Sequence, residues 1–356
     1  SQGLLRDLAA ASPLSFRAFM EAALYHPAYG FYSQAGAVVG RGGHFTTVPQ
    51  SHPLLAQGLA EYFCRVTANP RNPPSADQGE LSARYSQSGW TLMEAGGGAG
   101  ALMLACLFAL KEKASASSAL PEIALAERAP ARLAEQVAAL AKAGLAAGKT
   151  GDTPVEILKA RQGPLFLFSN ELIDAFPAVQ LCWWQGQWRE VWLEFGPEGF
   201  RRERFEPRPD GLDCAAPSRP REGQRMFVHP DYHQWLHANL SELQAGVIVT
   251  IDYGRHFPSS ECRGYYRNHR SKGFQVYERP GQQDLTCDVN FADVRRWGEQ
   301  LGWQTDFDDL LCAFLADTVA PSPNEAEDPV AQRLRNPFDA GGAFRVLVQS
   351  IGLELG

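Results

Sequence analysis

Four glycines within five positions, Gly96, Gly97, Gly98 and Gly100, separate two apolar runs. That arrangement leaves few ways to fold. Trp90 to Ala95 predicts a short buried strand, and Ala99 to Lys113 predicts a helix. Glycines between them accept backbone angles closed to other residues and let a ligand approach the main chain. The helix start that follows offers unpaired N–H groups. The alternation continues with Ile123 to Glu127 as a strand, Pro130 to Leu145 as an Ala-rich helix, Val155 to Leu158 as a strand and Leu165 to Ser169 as a buried strand. Strands alternating with helices imply a parallel sheet with helices on its faces. With Val247 to Asp252 and Ala343 to Ser350 as further strands, the expectation is an α/β, doubly wound, Rossmann-like core.

The flanking sequence reads as additions to that core. Residues 1–88 form a helical and irregular extension. In it Ser15 caps a helix through Tyr25, Pro53 starts another to about Phe63, and 68–88 is a polar, Pro-rich surface loop. The core domain covers 89–356, with insertions at about 179–245 and 255–290. Within these, two β-rich runs flank Gln185-Gly186 and predict a hairpin, and Tyr232 to Leu243 predicts a helix. Residues 205–223, 255–290 and 317–341 read as irregular. Phe291 to Leu301 predicts another helix.

With 356 residues, 45% of them hydrophobic, the chain can bury a sizeable core. A net charge of -7 lacks the basic excess that nucleic-acid binding requires, and the short cluster Tyr265, Tyr266, Arg267 and Arg270 does not supply it. Seven cysteines, odd in number and without a CxxC pair, argue for reduced thiols rather than disulfides or zinc. His229, His233 and His237 share helical spacing, which reads as a helix face more readily than as a metal site. No signal-peptide pattern opens the chain, and Ala99 to Leu110 is too short to span a bilayer. The expected compartment is a bacterial cytoplasm, or the mitochondrial matrix after removal of a transit peptide. Nothing in the sequence sets an oligomeric state.

Two cofactors fit the glycine loop. A nicotinamide dinucleotide wants G-x-G-x-x-G/A, which Gly96, Gly98 and Ala101 satisfy. S-adenosylmethionine fits better for two reasons. Glu94 would oppose a pyrophosphate but suits an ammonium and a sulfonium. Glu127, at the end of the second strand, lies farther on than the dinucleotide spacing and can accept both hydrogen bonds of a ribose diol. Asn170-Glu171-Leu-Ile-Asp174-Ala-Phe-Pro177 follows directly on a buried strand, so Asn170, Glu171 and Asp174 are the candidate catalytic residues.

Taken together, these pieces resemble the MidA-type methyltransferases, a family that includes a mitochondrial complex I assembly factor methylating an arginine. The resemblance rests on Tyr25 to Tyr32, Gly43 to Pro49, Glu94 to Leu102, Asn170 to Pro177, Trp188 to Val191, Ile251 to Gly254, Arg263 to Tyr265 and Pro280 to Val289. It implies a class I S-adenosylmethionine-dependent methyltransferase fold with segments covering the active site, and a protein arginine as substrate. It adds Asp252, Tyr253, Arg263, Asp284 and Asp288 as substrate-side or lid residues. Three departures stand out: His44 replaces the family's usual aspartate, Gln50 its glutamate, and Gly97 a frequent proline. Two other roles remain open on the residues: a cofactor-binding assembly protein without turnover, and an NAD-dependent oxidoreductase.

Overall fold

The computed structural model describes residues 2–33, 52–69, 89–113, 119–159, 163–257, 261–267, 269–323 and 325–353. His44, Gln50 and most of the loop expected at 68–88 lie outside them. The chain divides into two compact units. One comprises Ser1–Thr46, Ile173–Trp235 and Tyr253–Arg296; the other comprises Thr47–Leu172, Leu236–Asp252 and Trp297–Gly356.

The second unit is built on seven strands of an eight-stranded sheet, whose eighth, Val289–Asn290, pairs with Gly254 and Arg255. The seven are β1 (Thr91–Ala95), β2 (Glu122–Ala126), β3 (Lys149–Gly151), β4 (Leu165–Asn170), β5 (Gly246–Arg255), β6 (Gln304–Leu310) and β7 (Phe344–Ile351). Their order across the sheet is β3-β2-β1-β4-β5-β7-β6. The first five run parallel, and β6 and β7 pair antiparallel. Winding proceeds outward from β1 in one direction and from β4 in the other. The crevice between the ends of these two strands is therefore the switch point at which open α/β sheets bind ligands. Every residue of β1 and β4 is buried, as befits central strands covered on both faces.

Two readings of this unit need correction. Val155 to Leu158 is not a strand: Pro154–Leu158 is a short helix, and the strand lies earlier, at Lys149–Gly151. Pro154 explains why, since it has no N–H for a sheet ladder and its fixed φ suits a first helical turn. The region 317–341 is not simply a loop, because it holds the helices Pro329–Arg335 and Ala340–Ala343. Asp328 caps the first of them, accepting from Val330 N and Ala331 N at 2.9 and 3.1 Å.

The other unit centres on an antiparallel sheet of Leu14–Ser15, Val179–Trp184, Gln187–Gly196, Gly199–Pro207 and Arg225–Val228. Its predicted hairpin forms, with positive φ at both Gln185 (50°) and Gly186 (78°). The helix Phe16–Tyr25 starts at Ser15, whose Oγ accepts from Ala18 N at 3.2 Å. It buries Phe16, Phe19, Met20, Ala23 and Leu24 in a core shared with Leu4, Leu8, Val191, Leu193, Phe227, Tyr277 and Leu285. The segment 255–290 is more regular than its polarity suggests. Cys262–Tyr266, His269–Lys272 and Asp284–Cys287 make a three-stranded antiparallel sheet.

Candidate active site

The glycine loop is shaped by its own residues. Gly96, Gly98 and Gly100 have φ of +69°, +55° and +79°, angles at which a side chain is strained. Gly96 N donates to Ala126 O at 2.9 Å, tying the loop to the end of β2. At Gly97 a Cβ would lie 2.6 Å from Glu94 Oε2, so the loop wraps closely around that carboxylate. At Gly98 a Cβ would meet nothing within 4 Å, which leaves open space over the backbone.

Glu94 itself is buried, 3% exposed, and Oε2 has no hydrogen-bond donor. Burial pushes its pKa up to about 8, the Met103 backbone N–H opposes the shift, and the charge of Glu127 adds to it. Glu127 is half-buried and also raised by burial. It accepts from Ala129 N at 3.0 Å, from Gln136 Nε2 at 3.3 Å and from the Gly98 N–H, all of which favour its charged form. At the end of β4, Asn170 is 5% exposed; its Nδ2 donates to Glu171 Oε1 at 3.1 Å, while Oδ1 has no partner. Glu171 takes a left-handed conformation, φ 53°, with its N–H bonded to Ile251 O at 2.9 Å. Strain of this kind at a non-glycine residue persists where neighbours over-determine it, often at functional sites. Asp252 is fully buried at the end of this unit's portion of β5.

The remaining candidates belong to the other unit. Asp174 is 1% exposed, and its carbonyl accepts from Cys287 N at 3.0 Å. Asp284 accepts from Tyr32 Oη at 2.7 Å; burial lifts its pKa to about 6 against the pull of that hydrogen bond. Tyr32 is in turn held well above the ordinary tyrosine range, by burial first and then by the charge of Asp284. Arg263 pairs with Asp288 at 2.5 Å and lies over the Tyr253 ring, 5.1 Å from its centroid. Three of the expected residues, Tyr253, Arg263 and Asp288, are thus brought together here.

Sequence reasoning missed Gln136, Tyr25 and Tyr32 as members of these networks. Tyr25 Oη donates to Ala175 O at 2.9 Å within the Asn170–Pro177 motif. Both tyrosines stood in a quoted motif, which was the available signal; Gln136 had none. His229 precedes the helix Pro230–Leu240 rather than lying on its face, and burial lowers its pKa to about 3. Among the described residues, no group of three His, Cys, Asp or Glu is placed to hold a metal ion, and no helix is long and apolar enough to cross a membrane.

The cradle in the sheet unit fits a cofactor bringing positive charge and hydroxyl groups. Buried carboxylate and carbonyl oxygens without donors, beside open space over glycine backbone, are the chemistry such a ligand satisfies. A pyrophosphate brings no positive charge that would draw the proton from Glu94 and pair with the buried carboxylate.

Comparison with known proteins agrees. The family model described as "Putative S-adenosyl-L-methionine-dependent methyltransferase" matches residues 79–307. The mouse protein arginine methyltransferase NDUFAF7, a mitochondrial protein, is 22% identical over 310 residues, covering 83% of this chain and 69% of its own length. Its Danio rerio counterpart is 24% identical over 329 residues, covering 85% and 73%. Among solved structures, a Burkholderia thailandensis protein crystallised with S-adenosyl-homocysteine is 24% identical. It superposes with a TM-score of 0.75 over 99% of this chain and 92% of its own, a likeness of fold. The oxidoreductase reading falls away, and the chain belongs to the MidA-type family of S-adenosylmethionine-dependent methyltransferases.

Proposed function

We propose that this protein transfers a methyl group from S-adenosylmethionine to a guanidinium nitrogen of an arginine in a partner protein. The cofactor half of the reading is carried by Glu94, a buried carboxylate with a donorless oxygen against the glycine loop. The substrate half is supported by relatives that are named protein arginine methyltransferases and align along more than four-fifths of this chain.

Bound S-adenosylmethionine supplies an electrophilic methyl on a sulfonium. In this reading Glu94 balances the positive charge of the cofactor, Gly96 and Gly98 give it backbone to lie on, and Glu127 accepts from both ribose hydroxyls. Asn170, at the C-terminal end of β4, orients the incoming nitrogen. An arginine is a poor nucleophile because it stays protonated, with a pKa above about 12. Carboxylates that grip the planar fork localise that charge away from the attacking nitrogen. Glu171 and Asp174 are proposed for this work. Arg263, Asp284 and Asp288, with Asp252 and Tyr253, are proposed as substrate-side residues, and 255–290 as a lid.

The test is transfer of labelled methyl to lysate proteins, followed by identification of the modified residue. Label on arginine is expected. Glu171→Gln and Asp174→Asn should each still bind S-adenosylhomocysteine yet lose most transfer. Full turnover in both variants moves the catalytic residues elsewhere. Label on lysine or on a small molecule overturns the substrate, and cofactor binding with no transfer to any protein favours an assembly role.

A further inference from the structure

We infer that Gln136 is a positioning residue of the cofactor site, locking the glycine loop and Glu127 into one unit. The inference rests on the reading that Glu127 holds the ribose hydroxyls. Gln136 lies on the helix Pro130–Lys142, most of whose residues are exposed or half-buried, yet it is 1% exposed. A buried side-chain amide costs free energy unless its donors are used. Here Nε2 donates to Gly98 O at 3.0 Å and to Glu127 Oε2 at 3.3 Å. The Gly98 N–H also donates to Glu127. The three residues therefore close a ring of hydrogen bonds, in which a loop glycine, a strand-end acid and a helix amide fix one another.

The amide can face only one way. Both neighbours are acceptors, so the nitrogen must point at them, and Oε1 is left buried without a partner. The sequence also makes room for this approach. A Cβ on Gly100 would lie 3.1 Å from Gln136 Cα, so the glycine lets the helix come down onto the loop. Gln136 thus acts on the cofactor through Glu127 and Gly98.

The experiment is titration of S-adenosylhomocysteine into the purified full chain carrying Gln136→Met, Gln136→Glu, Glu127→Ala or Glu127→Ala with Gln136→Met. Thermal melting confirms that each is folded. Methionine is unbranched, suits a helix and fills similar space, so Gln136→Met should fold and bind about tenfold more weakly, the loss expected from two hydrogen bonds, one to a charged group. In the Glu127→Ala background the same change should cost little further affinity, because contacts sharing one network are not additive. A bystander that only supports the fold would give additive losses. Gln136→Glu sets a second carboxylate against Glu127, so binding should be weakest at neutral pH and recover toward wild type as the pH falls and the introduced group becomes a donor. Wild-type affinity in Gln136→Met, additive losses in the double variant, or a pH profile of Gln136→Glu parallel to wild type would each overturn the inference. Unchanged affinity in Glu127→Ala would overturn the ribose reading and this inference with it. Weakened binding in Glu127→Ala beside wild-type binding in Gln136→Met removes Gln136 alone.

Discussion

At neutral pH the buried carboxyl of Glu94 keeps its proton in the ligand-free protein, because its pKa stands near 8 while an exposed glutamate ionises near 4.5. Between those two values the folded chain holds a proton that the unfolded chain has released. Folding stability therefore declines as pH rises through this window and levels off above it. Removing the charge should relieve that decline. Glu94→Gln is expected to melt above wild type by a margin that widens from pH 5 to pH 8, reaching on the order of 3 kcal/mol, while losing at least tenfold in S-adenosylhomocysteine affinity. Calorimetry across pH, with and without ligand, checks both halves; a margin independent of pH would show that Glu94 is already ionised. Glu94 and Glu127 were singled out in the sequence because a carboxylate just before a glycine loop, or at the end of the strand that follows it, has few structural uses. Gln136 was not, because a glutamine in an Ala-rich helix looks like surface until burial is known. Asp284 and Asp288 were singled out, but their partners were hidden: Tyr32 lies 252 residues away from Asp284, and Arg263 lies 25 from Asp288.

Among the secondary-structure elements, the hairpin Val179–Gly196 shows local sequence and geometry in partial conflict. A two-residue turn with positive φ at both positions matches the strand twist, and glycine or asparagine fits it best. Gly186 complies, whereas Gln185 holds φ 50° with a full side chain. Gln185→Asn should raise the melting temperature slightly, and Gly186→Ala should cost about 1 kcal/mol. The reverse ranking in thermal denaturation would mean that the turn adopts another form. This element was readable because alternation and turn residues agreed. Others were not. The strand Gln304–Leu310 carries Asp306, Asp308 and Asp309 and is half exposed at the sheet edge, so it lacks a buried strand's apolar signal. The strands within 262–287 hid for a related reason, since their pairing partners stabilise residues such as Arg263, Lys272 and Asp284 that a strand pattern would not predict.

The whole molecule was legible where its order along the chain matches its order in space. Strands β1 and β2 and the helices after them follow one another closely, so the glycine loop, Glu127 and Gln136 come from a stretch of about fifty residues. Both units are assembled from three separated segments, but in the other unit the core itself joins the first segment to strands beyond Ile173, and no periodicity announces which ones meet. That discontinuity has a consequence during synthesis. Leu14 pairs with Leu193, 179 residues downstream. A ribosome adding about 5–20 residues per second needs about 10–35 seconds to make that partner. Through that interval Leu4, Leu8, Phe16, Phe19 and Met20 have been made, but the strands that bury them have not. The nascent segment 4–20 should therefore be a client of holding chaperones, and it should be cleaved readily by protease on ribosomes stalled near residue 150. It should become protected only on ribosomes stalled far enough along for Val228 to have left the exit tunnel. Protection at the earlier stall would mean that these helices find an interim partner within the first 150 residues.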